Sequence, residues 1–419
     1  MGTVLRIEDL AEPKLNEAQV GALAYGETIK VQFNAEVILD LARTRTGLSD
    51  FGPMDFLERL EALCTEWDAD KELTGLHRMV LFGYLQRYAS NRLLLQDAFN
   101  KHPEIDQEVI ARPVIVVGLP RSGTTHLVNL LAADDRFHSL PLWESYEPLP
   151  MPSEPMDADG TDPRYRRCAE TWAGMQQVTP LLAAMHPMNP EHIHEELELM
   201  GPDFASYNFE WLCSSPRWRD RYYQSDQTPH YLYMKRVLKL LQWRRGGPAK
   251  PWVLKCPQHL EQIAALLKTF PDASVVFTHR DPVAVIQSTI TMQAYTQRIQ
   301  RPKPRLAELA TYWIDRVEHL LQGCVRERAL ASPQVSFDCY FDRFMADPWQ
   351  VLEAVYANSG LPLDDATRQK LTAYLEAHRR GKDGQMAYDL RRDFALEPAA
   401  LHQRFAFYMD RFPVKREVT

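Results

Sequence analysis

The run from Val114 to Leu127, Val-Ile-Val-Val-Gly-Leu-Pro-Arg-Ser-Gly-Thr-Thr-His-Leu, leaves this chain few folds to choose from. Val114–Val117 are consecutive β-favouring apolar residues, as in a strand buried on both faces. A glycine-bounded loop follows, and from Ser122 to Ala133 the residues Leu127, Leu130 and Leu131 recur at helical spacing. Strand, loop and helix N-terminus in this order predict an anion site of inward-pointing N–H groups reinforced by the helix dipole. Gly118 and Gly123 have the separation of a G-x-x-x-x-G-K-[ST] phosphate loop, but Thr124 stands in the lysine position. That lysine reaches the outer phosphates of a nucleoside triphosphate, so its absence argues against ATP or GTP. Arg121, inside the loop, offers its planar fork to a single terminal phosphate instead. A tight strand–helix turn without a ligand is the alternative.

A chain of 419 residues can bury a large core, as one elaborated α/β domain or as two domains. Its net charge of −8 gives no support to nucleic acid or an anionic membrane as the main partner. An acidic protein that binds an acidic ligand must concentrate its cations, which makes individual arginines informative. No stretch approaches the roughly 20 apolar residues needed to cross a bilayer, so the chain is read as not membrane-spanning. The N-terminus lacks the basic start and apolar core of a signal peptide, and Arg6 spoils a myristoylation signal. Six scattered cysteines without a C-x-x-C pair predict reduced thiols in a cytoplasmic protein rather than a disulfide frame or zinc site. No heptad or exposed apolar edge indicates an oligomeric state.

Residues 1–110 read as a helical N-terminal extension. Leu76, Val80, Tyr84 and Tyr88 recur at helical spacing, as do Ile38, Leu39, Leu41 and Ala42, and Phe56, Leu57, Leu60 and Leu63. His77 and His102 are expected at the surface. Past the phosphate loop, Pro141 limits any strand to a short or edge one, and Pro148, Pro150, Pro152, Pro155 and Gly160 mark a loop. A strand there would deliver Glu144 to the same crevice as the loop. Residues 160–250 read as a helical insertion whose aromatics between Phe204 and Tyr223 suit either core or a ligand pocket. His192-Ile-His194-Glu195-Glu196 lacks metal-site spacing. Ile193, Leu197 and Met200 instead predict an amphipathic helix with a solvated acidic face, the alternative being that Glu195 or Glu196 faces a pocket.

The strand–helix plan then resumes. Trp252–Lys255 reads as a short buried strand, and Ala273–Thr278 as another that ends at Arg280. Pro282 opens a helix that carries Ser288 two turns in, where it can converge with Arg280. Gln334–Tyr340 adds a further strand. The fold expected over residues 111–419 is therefore α/β, a parallel sheet of about four to five strands flanked by helices, P-loop NTPase-like. Arg298, Arg301, Lys303 and Arg305 form a basic stretch, read as a solvated loop or as a gate over the ligand. Arg380, Gly381 and Lys382 lie in a basic loop whose glycine would let backbone approach a phosphate.

With Pro120–Thr125, Lys255, Thr278-His-Arg-Asp-Pro282, Ser288 and Arg380–Gly384 in this order, the chain resembles sulfotransferases that use 3′-phosphoadenosine 5′-phosphosulfate (PAPS). It is most similar to a bacterial branch of that family, and its loop is similar to that of the tyrosylprotein-type enzymes. The resemblance implies that Arg121, Ser122, Gly123, Thr124 and Thr125 hold the 5′-phosphosulfate. It implies that Arg280 and Ser288 hold the 3′-phosphate, with Arg380, Gly381 and Lys382 closing over it. A glutamate after the loop's helix acts as base in the tyrosylprotein-type branch. Glu144 is the match by position and Glu147 the second, whereas the catalytic histidine of cytosolic animal enzymes has no evident counterpart. Lys255 and Arg121 would stabilise charge on the transferring group. PAPS would be the co-substrate, the acceptor a hydroxyl of a small or lipid-like molecule, and no metal is required. The competing readings are a P-loop-like nucleotide kinase or NTPase, and a non-catalytic nucleotide-binding protein.

Overall fold

Five buried residues, Val114–Gly118, form the strand (β2) from which the rest of the fold is laid out. The computed structural model describes residues 4–378 and 384–419. Besides β2, its strands are β1 (Val4–Leu5), β3 (Val253–Lys255), β4 (Ser274–His279), β5 (Ser336–Tyr340) and β6 (Gln385–Met386). The main sheet is four-stranded and parallel, in the order β3-β2-β4-β5, and β1 pairs with β6 in a separate parallel ribbon. The expectation of about four to five strands thus resolves to four. The connection from β2 leads to one side, and β4 returns to the other. That reversal opens a crevice at the C-terminal ends of β2 and β4, where open α/β sheets bind ligands.

Alternation along β2 divides the core. Ile115 and Val117 face one layer with Val275, Phe277, Leu238 and Trp313, while Val114 and Val116 face another with Val276, Leu127, Leu131 and Leu352. Both faces are covered, so the strand reads as continuously apolar. The N-terminal helices are Glu17–Thr28, Ala35–Thr46, Phe56–Ala69 and Gly75–Lys101. Ile38, Phe56, Leu60 and Leu63 from this region share a third core with Phe204, Phe209, Trp218 and Tyr222. Those aromatics are packed as core. His102 is half-exposed, but His77 is buried, with its Nε2 lacking a partner among the described residues.

Two more local expectations are corrected. After the loop's helix there is no regular strand, only single bridges from His138 to Trp252 and from Pro141 to Ile193, followed by the short helix Leu142–Tyr146. Pro141 lacks the N–H that a ladder would need. The 191–200 segment is helical only over Leu197–Met200, and its acidic face is not solvated. Glu196 and Glu198 are buried, Glu196 accepting the Lys255 backbone N–H at 2.7 Å and Glu198 binding Arg87, Tyr88 and Asn208. Local partners that lie far away in the sequence convert a seemingly solvated face into a buried polar one.

The basic stretch 298–305 is neither a free loop nor a gate. Arg298 pairs with Asp9 at 2.9 Å, Arg301 with Asp70 at 2.5 Å and Arg305 with Glu72 at 2.5 Å. These cations fasten the N-terminal helical region to the sheet region.

Candidate active site

The loop after β2 is shaped by steric demands at its two glycines. Gly118 stands opposite Thr278 of β4, and a Cβ at Gly118 would lie 1.8 Å from the Thr278 Oγ1. That hydroxyl shares a 2.7 Å hydrogen bond with Ser122 Oγ, which also donates to the Leu119 carbonyl at 2.6 Å. Strand β4 therefore grips the loop directly. Gly123 has φ +87°, and Arg121, a non-glycine residue, has φ +66°. Such left-handed backbone at a side-chain-bearing residue costs on the order of 1–3 kcal/mol, and it persists where surroundings over-determine it. The helix Thr124–Ala132 then begins at the crevice without a side-chain cap, its first N–H groups having no acceptor within the helix itself.

Three of the residues singled out by the sequence converge here. Arg121 Nε donates to Ser288 Oγ at 3.0 Å, and Arg280 Nη1 donates to the Arg121 carbonyl at 2.5 Å. Ser288, on the helix Pro282–Gln300, also donates to Tyr388 Oη at 3.1 Å. Asp281 caps that helix by accepting the Val283 N–H at 3.0 Å. Two arginines and a serine thus meet beside the loop. Arg380, Gly381 and Lys382 lie outside the described residues.

Lys255 comes from the C-terminal end of β3 with a buried side chain. Its ammonium bonds the Glu195 carboxylate and donates to Thr125 Oγ1 at 3.2 Å, so it reaches the first turn of the loop's helix from across the sheet. A lysine from a neighbouring strand thus reaches the helix turn that carries Thr124 in the phosphate-loop lysine position. Glu144 and Glu147 are engaged elsewhere. Glu144 is bonded by Arg245, and Glu147 is forked by Arg167 at 2.6 and 3.0 Å. The carboxylate that the fold brings to Lys255 is Glu195.

Beside it stand three half-buried histidines. His186 and His192 have ring centroids 6.1 Å apart, and His194 meets Tyr146 edge-on at 6.2 Å. Burial, aided by His192, Arg121 and Lys255, holds His186 well below the usual imidazole range. Burial and Lys255 bring His192 down to about 4 and hold His194 well below its ordinary value. Burial and the nearby Lys255 thus favour the neutral form of all three rings. Sequence reasoning considered His192 and His194 only as metal ligands, and nothing local marks His186. Among the described residues no cluster of His, Cys, Asp and Glu has a metal-holding arrangement.

A strand–loop–helix cradle without the triphosphate lysine, flanked by Arg121, Arg280 and Ser288 at the C-terminal edge of a parallel sheet, is the arrangement of a P-loop-like α/β fold. Residues 113–365 match the sulfotransferase family, and the chain belongs to it. Omega-hydroxy-beta-dihydromenaquinone-9 sulfotransferase Stf3 of Mycobacterium bovis is 24% identical over 319 residues, spanning 72% of this chain and 76% of its own. The protein of the same name from Mycobacterium tuberculosis matches equally. Among solved structures, sulfotransferase STF1 from M. tuberculosis H37Rv superposes with a TM-score of 0.76 at 28% identity, over 89% of this chain and 98% of that one. Sulfotransferase STF9 from Mycobacterium avium gives 0.81 at 25% identity, over 93% and 99%. The chain is a sulfotransferase, and the kinase or NTPase reading is not favoured.

Proposed function

We propose that the sulfuryl donor is PAPS and the acceptor a hydroxyl on a lipid-like molecule. The observation that carries the donor reading is the Arg121–Ser288–Arg280 constellation, because a phosphate on the ribose needs a cation of its own outside the loop. The loop N–H groups, Ser122, Thr124 and Thr125 bind the 5′-phosphosulfate, with Gly123 letting the backbone come close. Arg121 and Lys255 stabilise charge on the transferring group and on the leaving phosphate, as positioned cations do in phosphoryl transfer. Glu195 takes the acceptor proton during in-line attack, because its partner Lys255 also bonds Thr125 of the loop's helix, whereas Glu144 and Glu147 pair with Arg245 and Arg167 from outside the loop and β3. The histidine wall orients the acceptor hydroxyl without adding charge. The name of the Stf3 relatives, which act on a hydroxylated menaquinone, supports an apolar acceptor. Six unpaired cysteines suit a cytoplasmic setting, and no helix among the described residues is long and apolar enough to cross a membrane.

The test is a screen of polyprenyl and alkyl alcohols, phenols and quinols with PAPS, read by the mass of the sulfated product. Turnover of long-chain alcohols with PAPS, and none with Mg-ATP, is expected. Transfer from ATP, or from adenosine 5′-phosphosulfate as readily as from PAPS, would overturn the donor assignment.

A further inference from the structure

Arg280 stands where the donor reading puts the ribose phosphate, yet its guanidinium is already engaged. Nε and Nη2 donate in parallel to the two carboxylate oxygens of Glu417, each at 2.7 Å. Nη1 is spent on the Arg121 carbonyl, and the guanidinium lies 4.0 Å above the Phe341 ring centroid. The forked edge that would take a phosphate in two parallel hydrogen bonds is therefore filled by a carboxylate of the chain itself. The segment that delivers it is anchored. Val414 and Val418 pack against the main core. The N–H groups of Glu417 and Val418 donate to Asp281 Oδ2 at 2.7 and 3.3 Å, and the Thr419 carbonyl accepts from Arg391 at 3.3 Å.

We propose that Val414–Thr419 is a strap whose Glu417 side chain occupies the phosphate fork of Arg280 and leaves it when the 3′-phosphate of the nucleotide enters. The proposal rests on the donor reading above. A carboxylate and a phosphate cannot share one fork, because both accept from the same N–H groups and repel each other. A phosphate near neutral pH carries more charge than the carboxylate and so wins the exchange. The backbone of Glu417 is fixed by Asp281, and its side chain is 27% exposed, so the exchange needs only a rotation of one side chain toward solvent. The strap lowers the affinity of donor and of the desulfated product alike, since both carry the 3′-phosphate. Returning Glu417 to Arg280 helps expel the product, a step that often limits turnover.

Calorimetric titration of the full chain and its Glu417→Gln variant with adenosine 3′,5′-bisphosphate and with ADP tests this. Glu417→Gln is expected to bind the bisphosphate about two- to fivefold more tightly, the scale of a partly exposed ion pair, with ADP unchanged. Unchanged or weaker bisphosphate binding by the variant would show that Glu417 only positions Arg280, and would sink the strap while leaving the donor reading intact. An equal gain for ADP would reduce Glu417 to a general charge effect and also sink it. If the unaltered chain fails to prefer bisphosphate over ADP, the donor reading fails first and the strap goes with it.

Discussion

Gly118 has no room for a methyl group, since the Thr278 hydroxyl lies 1.8 Å from where the Cβ would be. Gly118→Ala is expected to cost about 1–3 kcal/mol, read as a lower urea midpoint, because either the loop or β4 must shift. The same shift breaks the Ser122–Thr278 bond, so bisphosphate affinity falls with stability. Glu195 makes a different demand. Glu195→Gln keeps the shape and removes the proposed base, and is expected to lower kcat by about 10²–10⁴-fold while bisphosphate affinity changes little. The deciding comparison is with Glu144→Gln, whose carboxylate faces Arg245, and the larger loss of kcat should belong to the Glu195 variant. Equal losses would return the base to the segment just after the loop's helix.

The elements differ in how openly their residues announce them. Val114–Gly118, Ser274–His279 and the helix carrying Ser288 are legible because each is a local pattern, an apolar run or a proline-led helix start, bounded by polar residues. The proximity of Arg280 and Ser288 was legible too, since eight residues on a strand–helix turn leave few ways to arrange them, although in the fold they meet through Arg121. Glu198 was not, and Glu195 was legible only as one of two candidates to face a pocket, because what fixes them is Lys255 and Arg87, distant in the chain. The helix Leu306–Glu327 hides a similar long-range feature under an ordinary apolar stripe. Its Arg316 is fully buried between Glu210 and Glu261, with N···O separations of 2.9 and 2.5 Å. Arg316→Met leaves both carboxylates buried without their cation, and a loss of about 3–5 kcal/mol in chemical denaturation is expected. Replacing Glu210 and Glu261 with Gln in the same variant should recover part of it.

At the scale of the whole molecule, buried imidazoles tie stability to pH. Burial, with a nearby arginine in each case, brings His77 and His138 down to about 4, and burial with Lys255 does the same for His192. The unfolded chain binds these protons near pH 6.5 and the folded chain only near 4, so their contribution is complete above 6.5 and drains away as pH falls toward 4. The denaturation midpoint should therefore drop steeply between pH 6.5 and 5, with proton uptake on unfolding, and a flat profile would refute this. The ribbon of β1 and β6 has a practical corollary. Val4–Leu5 hold Gln385–Met386 in register, and the Leu5 carbonyl accepts the Ala387 N–H at 2.8 Å, one residue before the tyrosine that Ser288 touches. A preparation trimmed past Leu5 would therefore lose the strand that holds the Tyr388 segment beside Ser288, and donor affinity measured on it is expected to fall short of that of the full chain.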